Sequence, residues 1–192
     1  MKAKFCKTGV LLTVLLVFAQ QEGLAAEGIP LPTGTFAVTG TGSIAICLDP
    51  TTFKEQACTT KGILDVFTVL QVGSVTADHA GNICQTVVET DTDVPVDSTP
   101  PLVTRNNNSV VKVTNYDPKT GTGDASFTGY IGGTCRGAIF DKTGATETGI
   151  GTSHFVASEN GKRIDILITS LTNSTNSVGD FSLSTVNRKL NP

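Results

Sequence analysis

Tryptophan is absent from the 192 residues, methionine occurs once, and tyrosine and histidine occur twice each. Two histidines, His79 and His154, leave too few imidazoles for a histidine-based metal centre, and no cysteine pair has the C-x-x-C spacing of a zinc site. Charge is sparse, at 16% of residues, and the basic side chains are scattered singly apart from Lys162-Arg163 and Arg188-Lys189. A phosphate backbone or an anionic lipid surface calls for clustered Lys and Arg, so the sequence argues against nucleic acid as a partner. There is no G-x-S-x-G elbow, and the glycine-rich pieces Thr39-Gly40-Thr41-Gly42 and Thr120-Gly121-Thr122-Gly123 lack the Lys and following helix of a phosphate loop. No catalytic residue, metal or cofactor is expected from these patterns.

The N-terminus, by contrast, is strongly patterned. Lys2, Lys4 and Lys7 precede an apolar run from Gly9 to Ala19, and Gly23-Leu24-Ala25-Ala26 supplies small residues for cleavage. This reads as a signal peptide over residues 1–26, too short in its apolar part to span a bilayer. Residues 27–192 form the expected single domain, with no segment apolar enough for membrane insertion after processing. Removing Lys2, Lys4, Lys7 and Glu22 leaves 11 basic and 16 acidic residues, a net charge near −5. The expected location is secreted or periplasmic, where disulfides persist. Cys47, Cys58, Cys84 and Cys135 are then an even set. Three pairings exist, and Cys47–Cys58 with Cys84–Cys135 is preferred, because the first bridge staples an excursion that Asp49-Pro50 opens with a capped turn.

Thr, Gly, Val and Ile dominate, and long stretches of helix formers are missing, which points to strands. From Thr35 the chain alternates through Phe36, Val38, Ile44 and Ile46, bent at Gly40 and Gly42. Leu64 to Ala77 carries Val66, Leu70 and Val72 on one face and Phe67, Val69 and Val75 on the other. Asp78-His79-Ala80-Gly81-Asn82 is a turn by composition, and Ile83 to Glu89 returns. Asp91 to Pro101, with three prolines and no periodicity, reads as a loop. Further strands are expected over Val110–Asn115, Ala125–Tyr130, Thr134–Phe140, Thr152–Ser158, Lys162–Ser170 and Asp180–Val186. Eight or nine strands with close connections make an all-β antiparallel meander, closed as a barrel or, alternatively, folded as a sandwich.

The clearest local signal is Ala157-Ser158-Glu159-Asn160-Gly161-Lys162-Arg163-Ile164, where Asn-Gly fits a two-residue hairpin turn. Such a turn pairs Ala157 with Ile164 and Phe155 with Ile166, and Ile168 continues the same face. The opposite face carries His154, Val156, Ser158, Arg163, Asp165 and Leu167, so one face is apolar and the other mixed. The charges beside the turn then read as solvated rather than as a binding patch.

The order of Gly34-Thr35-Phe36, Gly73-Ser74-Val75-Thr76-Ala77-Asp78 with Gly81-Asn82, Thr134-Cys135-Arg136-Gly137, and Phe155-Val156-Ala157 with Asn160-Gly161-Lys162-Arg163-Ile164 resembles a group of small secreted proteins with allene-oxide-cyclase-like or calycin-like β-barrels. The resemblance implies a barrel and assigns no functional residue.

Remaining constellations have plainer readings. Glu89, Asp91 and Asp93 alternate, yet lack the spaced ligands and glycine of a calcium loop, which favours a solvated acidic stretch. Ser153 and His154 point to opposite faces of a strand and cannot act together by adjacency. Asn107-Asn108-Ser109 and Asn173-Ser174-Thr175 match glycosylation acceptors and read as exposed loops. In a barrel, the stripe Phe155, Ala157, Ile164, Ile166 and Ile168 would point inward as a ligand-binding wall. With no Trp, and seven Phe and two Tyr after residue 26, little aromatic bulk is available to fill the interior. The expected function is a secreted, non-enzymatic barrel binding a small apolar ligand or a partner surface. An envelope or adhesin-like structural protein and an isomerase-like enzyme are the alternatives.

Overall fold

β-Branched residues lose rotamer freedom in a helix and pack well on a pleated surface, and here they build strands of 10 to 16 residues. The computed structural model describes residues 28–59, 61–93 and 102–190. The expected signal peptide and residues 94–101 of the proline-rich stretch lie outside them. In chain order the strands are β1 (Gly34–Leu48), β2 (Ile63–Ala77), β3 (Asn82–Asp93), β4 (Leu102–Asp117) and β5 (Thr122–Ile131). After them come β6 (Thr134–Arg136), β7 (Ile139–Asp141), β8 (Thr146–Ser158), β9 (Arg163–Asn173) and β10 (Val178–Lys189).

Eight of these close into an antiparallel barrel in the order β1-β10-β9-β8-β5-β4-β3-β2. Closure through the β1–β10 pairing, from Phe36 opposite Lys189 to Ile46 opposite Val178, leaves the sheet without an edge. That pairing decides between the two expected architectures: the molecule is a barrel, not a sandwich.

Glycine allows the wall to coil this tightly. A Cβ on Gly42 would run into the Ser182 carbonyl, and one on Gly73 into the Thr86 carbonyl, so a side chain at either point would push neighbouring strands apart. On the inner face, Phe155 lies over its cross-strand partner Gly123, and Phe127 over Gly151. Large rings thus fill space that the facing glycines leave free.

The β8–β9 hairpin has the expected register, with Ala157 opposite Ile164 and Phe155 opposite Ile166. Glu159, Asn160 and Gly161 all have positive φ (52°, 56° and 75°), so the left-handed stretch begins one residue earlier than a two-residue turn requires. Both preferred disulfides form, at 2.06 Å for Cys47–Cys58 and 2.03 Å for Cys84–Cys135. Asp49 caps the stapled excursion, accepting from the amides of Thr51 (2.9 Å) and Thr52 (2.7 Å).

Three expectations are corrected. Thr134 to Phe140 is not a barrel strand but the two-stranded β6–β7 hairpin, with Gly137 at φ 63° in its turn. It covers the outside of β3–β5, where Phe140 packs on Tyr130 (centroids 4.8 Å apart), Cys135 bonds to Cys84, and Asn108 Nδ2 donates to the Gly132 carbonyl at 2.9 Å. Asp91–Asp93 continue β3, with Asp93 opposite Phe67, instead of opening a loop. Asn107-Asn108-Ser109 is also no loop: it lies within β4, with Asn108 buried. In β4 the cause is that Asn107 and Ser109 face the interior and interrupt the alternation by which a strand is recognised.

Candidate functional site

The two ends of the barrel are built differently. At one end the connections are tight turns, Asp78–Gly81, Pro118–Gly121 and Glu159–Lys162. Asp78 organises the first, accepting from the Ala80 and Asn82 amides and from the Asn82 side chain, all at 2.9 Å. Those hydrogen bonds, led by the Asn82 side chain, hold its carboxyl below the ordinary aspartate range. Residues 28–33 cross beneath this end as a strap. The Ile29 amide donates to the Pro118 carbonyl (2.7 Å), and the Tyr116 hydroxyl donates to the carbonyls of Ile29 (2.8 Å) and Pro30 (3.1 Å). Burial, reinforced by the charge of Asp117, raises the Tyr116 pKa and favours the protonated, donating form.

Above the strap the interior is filled. Phe36, Val38, Val75, Val87, Ala125, Phe155 and Ile164 form one buried cluster, with Leu31, Ile83, Val111 and Tyr116 packed against it. Tyr116 stacks on Phe155 at 5.9 Å, and a void of about 50 Å³ remains among these side chains.

The other half is hollow. A cavity of about 550 Å³ rises from this core to an open mouth. Its contact with solvent explains why inward-facing Ile44, Phe67, Ile166 and Ile168 are only half-buried. The two walls differ in chemistry. On β5, β9 and β10 they are mostly apolar, with Phe127, Ile166, Ile168, Leu171 and Leu183. On β2–β4 the lining includes Gln71, Gln85, Glu89, Asn107 and Ser109, placed by register as Gln71 opposite Glu89, Val87 opposite Asn107, and Gln85 opposite Ser109. The Gln71 amide donates to Glu89 at 2.6 Å. Asn107 Oδ1 is buried and has no hydrogen-bond partner among the described residues.

At the mouth, Glu55 from the stapled excursion meets the β9–β10 turn. Its Oε2 accepts from Ser177 Oγ (3.1 Å), Thr175 Oγ1 (3.3 Å) and Asn173 Nδ2 (3.3 Å). Asn173-Ser174-Thr175 therefore braces the rim, with the Asn173 side chain engaged in hydrogen bonds rather than projecting freely.

The expected inner stripe divides between these halves. Phe155, Ala157 and Ile164 are buried at 7%, 1% and 9% exposure in the filled end, whereas Ile166 and Ile168 line the cavity. Sequence reasoning missed the polar wall and Glu55. A signal was present: Gln71 falls in phase with Phe67, Val69 and Val75, and Gln85 and Glu89 fall in phase with Ile83 and Val87. Glu89 thus lines the cavity instead of belonging to a solvated acidic stretch.

On the outer wall, His154 pairs with Asp124 and stays exposed, away from the cavity that Ser153 lines. Arg163 is held by Asp165 (2.8 Å), which raises its pKa, and Arg188 by Glu159 (3.3 Å). No group of three or more potential metal ligands occurs among the described residues. Val66, Leu70 and Val72 form an exposed apolar row on the outside of β2. No protein-family model and no curated protein matches the chain. The architecture is that of an all-β closed barrel, consistent with the calycin-like expectation at the level of fold.

Proposed function

We propose that this protein is a non-enzymatic binding barrel that takes up a small, mostly apolar molecule in its hollow half. The carrying observation is the cavity of about 550 Å³, closed below by a packed core and open above. Small-molecule sites fall in the range of about 300–1,000 Å³, with mostly apolar linings and a few placed polar groups. The two disulfides suit an oxidising compartment, in keeping with a secreted or periplasmic location.

Thermal-shift and native mass spectrometry measurements against fatty alcohols, terpenoids and flavonoids test this reading. Ile168→Phe is the appropriate competitor, because Ile168 lines the cavity; Ala157 lies in the filled end and would test packing instead. Binding that weakens in Ile168→Phe supports the proposal. Binding that survives unchanged moves the site to another surface, such as the outer row of β2.

The Gln71–Glu89 pair in the wall favours one second reading, an isomerase resembling allene oxide cyclases, since a carboxylate in an apolar cavity is a usable acid or base. Chemical conversion of a bound ligand that stops in Glu89→Gln would establish it. A partner-binding or adhesin-like role would rest instead on the exposed row Val66, Leu70 and Val72.

A further inference from the structure

The outer wall of β1–β3 is built without charge. Between Ala37 and Ser43 on β1, Leu64 and Thr76 on β2, and Thr86 and Thr90 on β3, the outward positions hold no Asp, Glu, Lys, Arg or His. Down its middle Val66, Leu70 and Val72 are 46%, 49% and 57% exposed, and Val88 widens the row as the cross-strand partner of Val72. The opposite wall, on β5, β8 and β9, carries the His154–Asp124 and Arg163–Asp165 pairs. A contiguous apolar row left in water marks an interaction site.

We infer that this wall is the contact between two copies of the chain, packed face to face about a two-fold axis. Closure leaves the barrel sheet no free edge for strand addition, so association has to use a face. Charge then selects which face. The chain has a net charge of −3, and like-charged copies approach best where neither presents a charge to be repelled or desolvated. A different protein would find no charged group here to orient or select it. A second copy needs none, because an isologous contact lays the same apolar row against itself.

Area sets the strength of the contact. Leu64 to Ser74 spans about 33 Å and three strands about 14 Å, a footprint of roughly 450 Å² per copy. Half or so of the ~800 Å² that each partner gives to a standard interface makes a reversible dimer, with a dissociation constant on the order of 100 μM. Leu70 lies in the middle of the row and enters the contact in either sense of the two-fold. The cavity mouth opens at the end of the barrel, so a contact on this wall leaves it free, and self-association is independent of what the cavity binds.

Sedimentation equilibrium of the purified protein between about 5 and 500 μM tests this, since a dimer follows mass action. The expected result is a weight-average mass that rises with concentration towards twice the monomer value. Leu70→Asp sets like charges against each other in the contact and should raise the dissociation constant at least about tenfold. Ile150→Asp, the same kind of change at a 52% exposed residue of the opposite wall, should leave it unchanged. A second readout needs no variant: concentration-dependent methyl shifts in the unaltered protein should fall on Val66, Leu70 and Val72 and spare Ile150. A mass that stays monomeric at the highest concentration overturns the inference, as does a dimer that Ile150→Asp weakens as much as Leu70→Asp. A monomer that instead co-floats with phosphatidylcholine vesicles gives the row to a lipid surface and overturns it too. None of these outcomes bears on the cavity, whose ligand is read separately.

Discussion

The filled and hollow ends of this barrel share strands, composition and closure, yet they solve different problems. At the filled end, inward positions are mostly apolar, with buried Asn187 donating to the Ile164 carbonyl at 3.3 Å, connections are short, and the strap of residues 28–33 seals what remains. At the hollow end the same strands turn Gln, Glu, Asn and Ser inward, and the connection after β1 becomes a disulfide-stapled excursion that shapes a rim. Apolar packing is concentrated in one half, and the other carries most of the inward-facing polar groups, which are costly to bury without partners. Local stability in proteins is commonly divided in this way, with binding regions drawn from the less tightly packed part.

The disulfides give the largest expected break in that division. Cys84–Cys135 closes 51 residues and pins the β6–β7 hairpin, whereas Cys47–Cys58 closes 11 residues at the rim. Replacing both cysteines of Cys84–Cys135 with Ser should cost about 2–4 kcal/mol, and the loop-closure relation makes the rim bridge worth about 1.4 kcal/mol less. Urea melts of the two double variants check the difference. Equal losses would mean that native packing, not chain entropy, sets the contribution of each bridge.

Next in size is a pair of identical insertions placed in opposite halves. Ala157→Phe forces a ring into a position 1% exposed and should destabilise by about 1–3 kcal/mol, as overpacking does. Ile168→Phe places its added volume in the cavity and should change stability by less than about 1 kcal/mol. Similar losses at both sites would show that the hollow half is not hollow. Gly161→Val belongs with the first of these: φ is 75° and the Pro30 carbonyl lies 3.4 Å from where a Cβ would sit. A loss of about 1–3 kcal/mol is expected from the strained backbone, read from thermal or urea denaturation.

The smallest effect is in pH. Burial raises the Tyr116 pKa, so the folded state favours its protonated form. Its contribution is fully present below the ordinary tyrosine value near 10 and is lost as pH rises through the higher folded value. Asp49 and Asp78 act in the opposite sense: hydrogen bonds from Thr52 and Thr51 to the first, and from Asn82 to the second, lower their pKa values. Stability from these caps is present above the ordinary aspartate value near 4 and fades as pH falls through the lowered values. Melting profiles against pH should show both flanks, and Tyr116→Phe should flatten the alkaline one alone.

The same division decides what could be read from the sequence. Leu64–Ala77 is found nearly whole as β2 because both of its faces are rich in apolar β-branched residues, and the Asn160-Gly161 hairpin is found with its register because turn and alternation agree. β4 runs from Leu102 to Asp117, yet only Val110–Asn115 is legible, since Asn107 and Ser109 face inward and read as surface. The residues that make the hollow half interesting are those that erase its strand pattern. Phe155, Ala157 and Ile164 were legible as inward-facing, but alternation carries no information on whether inward means packed or hollow. That distinction depends on the facing strands and on the strap beneath.

The central claim is most directly tested by methyl-resolved NMR of the protein titrated with 1-dodecanol. A ligand in the hollow half predicts shifts at the Ile166, Ile168 and Leu183 methyls, with the Ile164 methyl in the packed core moving little and the outer Val66, Leu70 and Val72 not at all. Shifts confined to that outer row, or to the packed core, would contradict it.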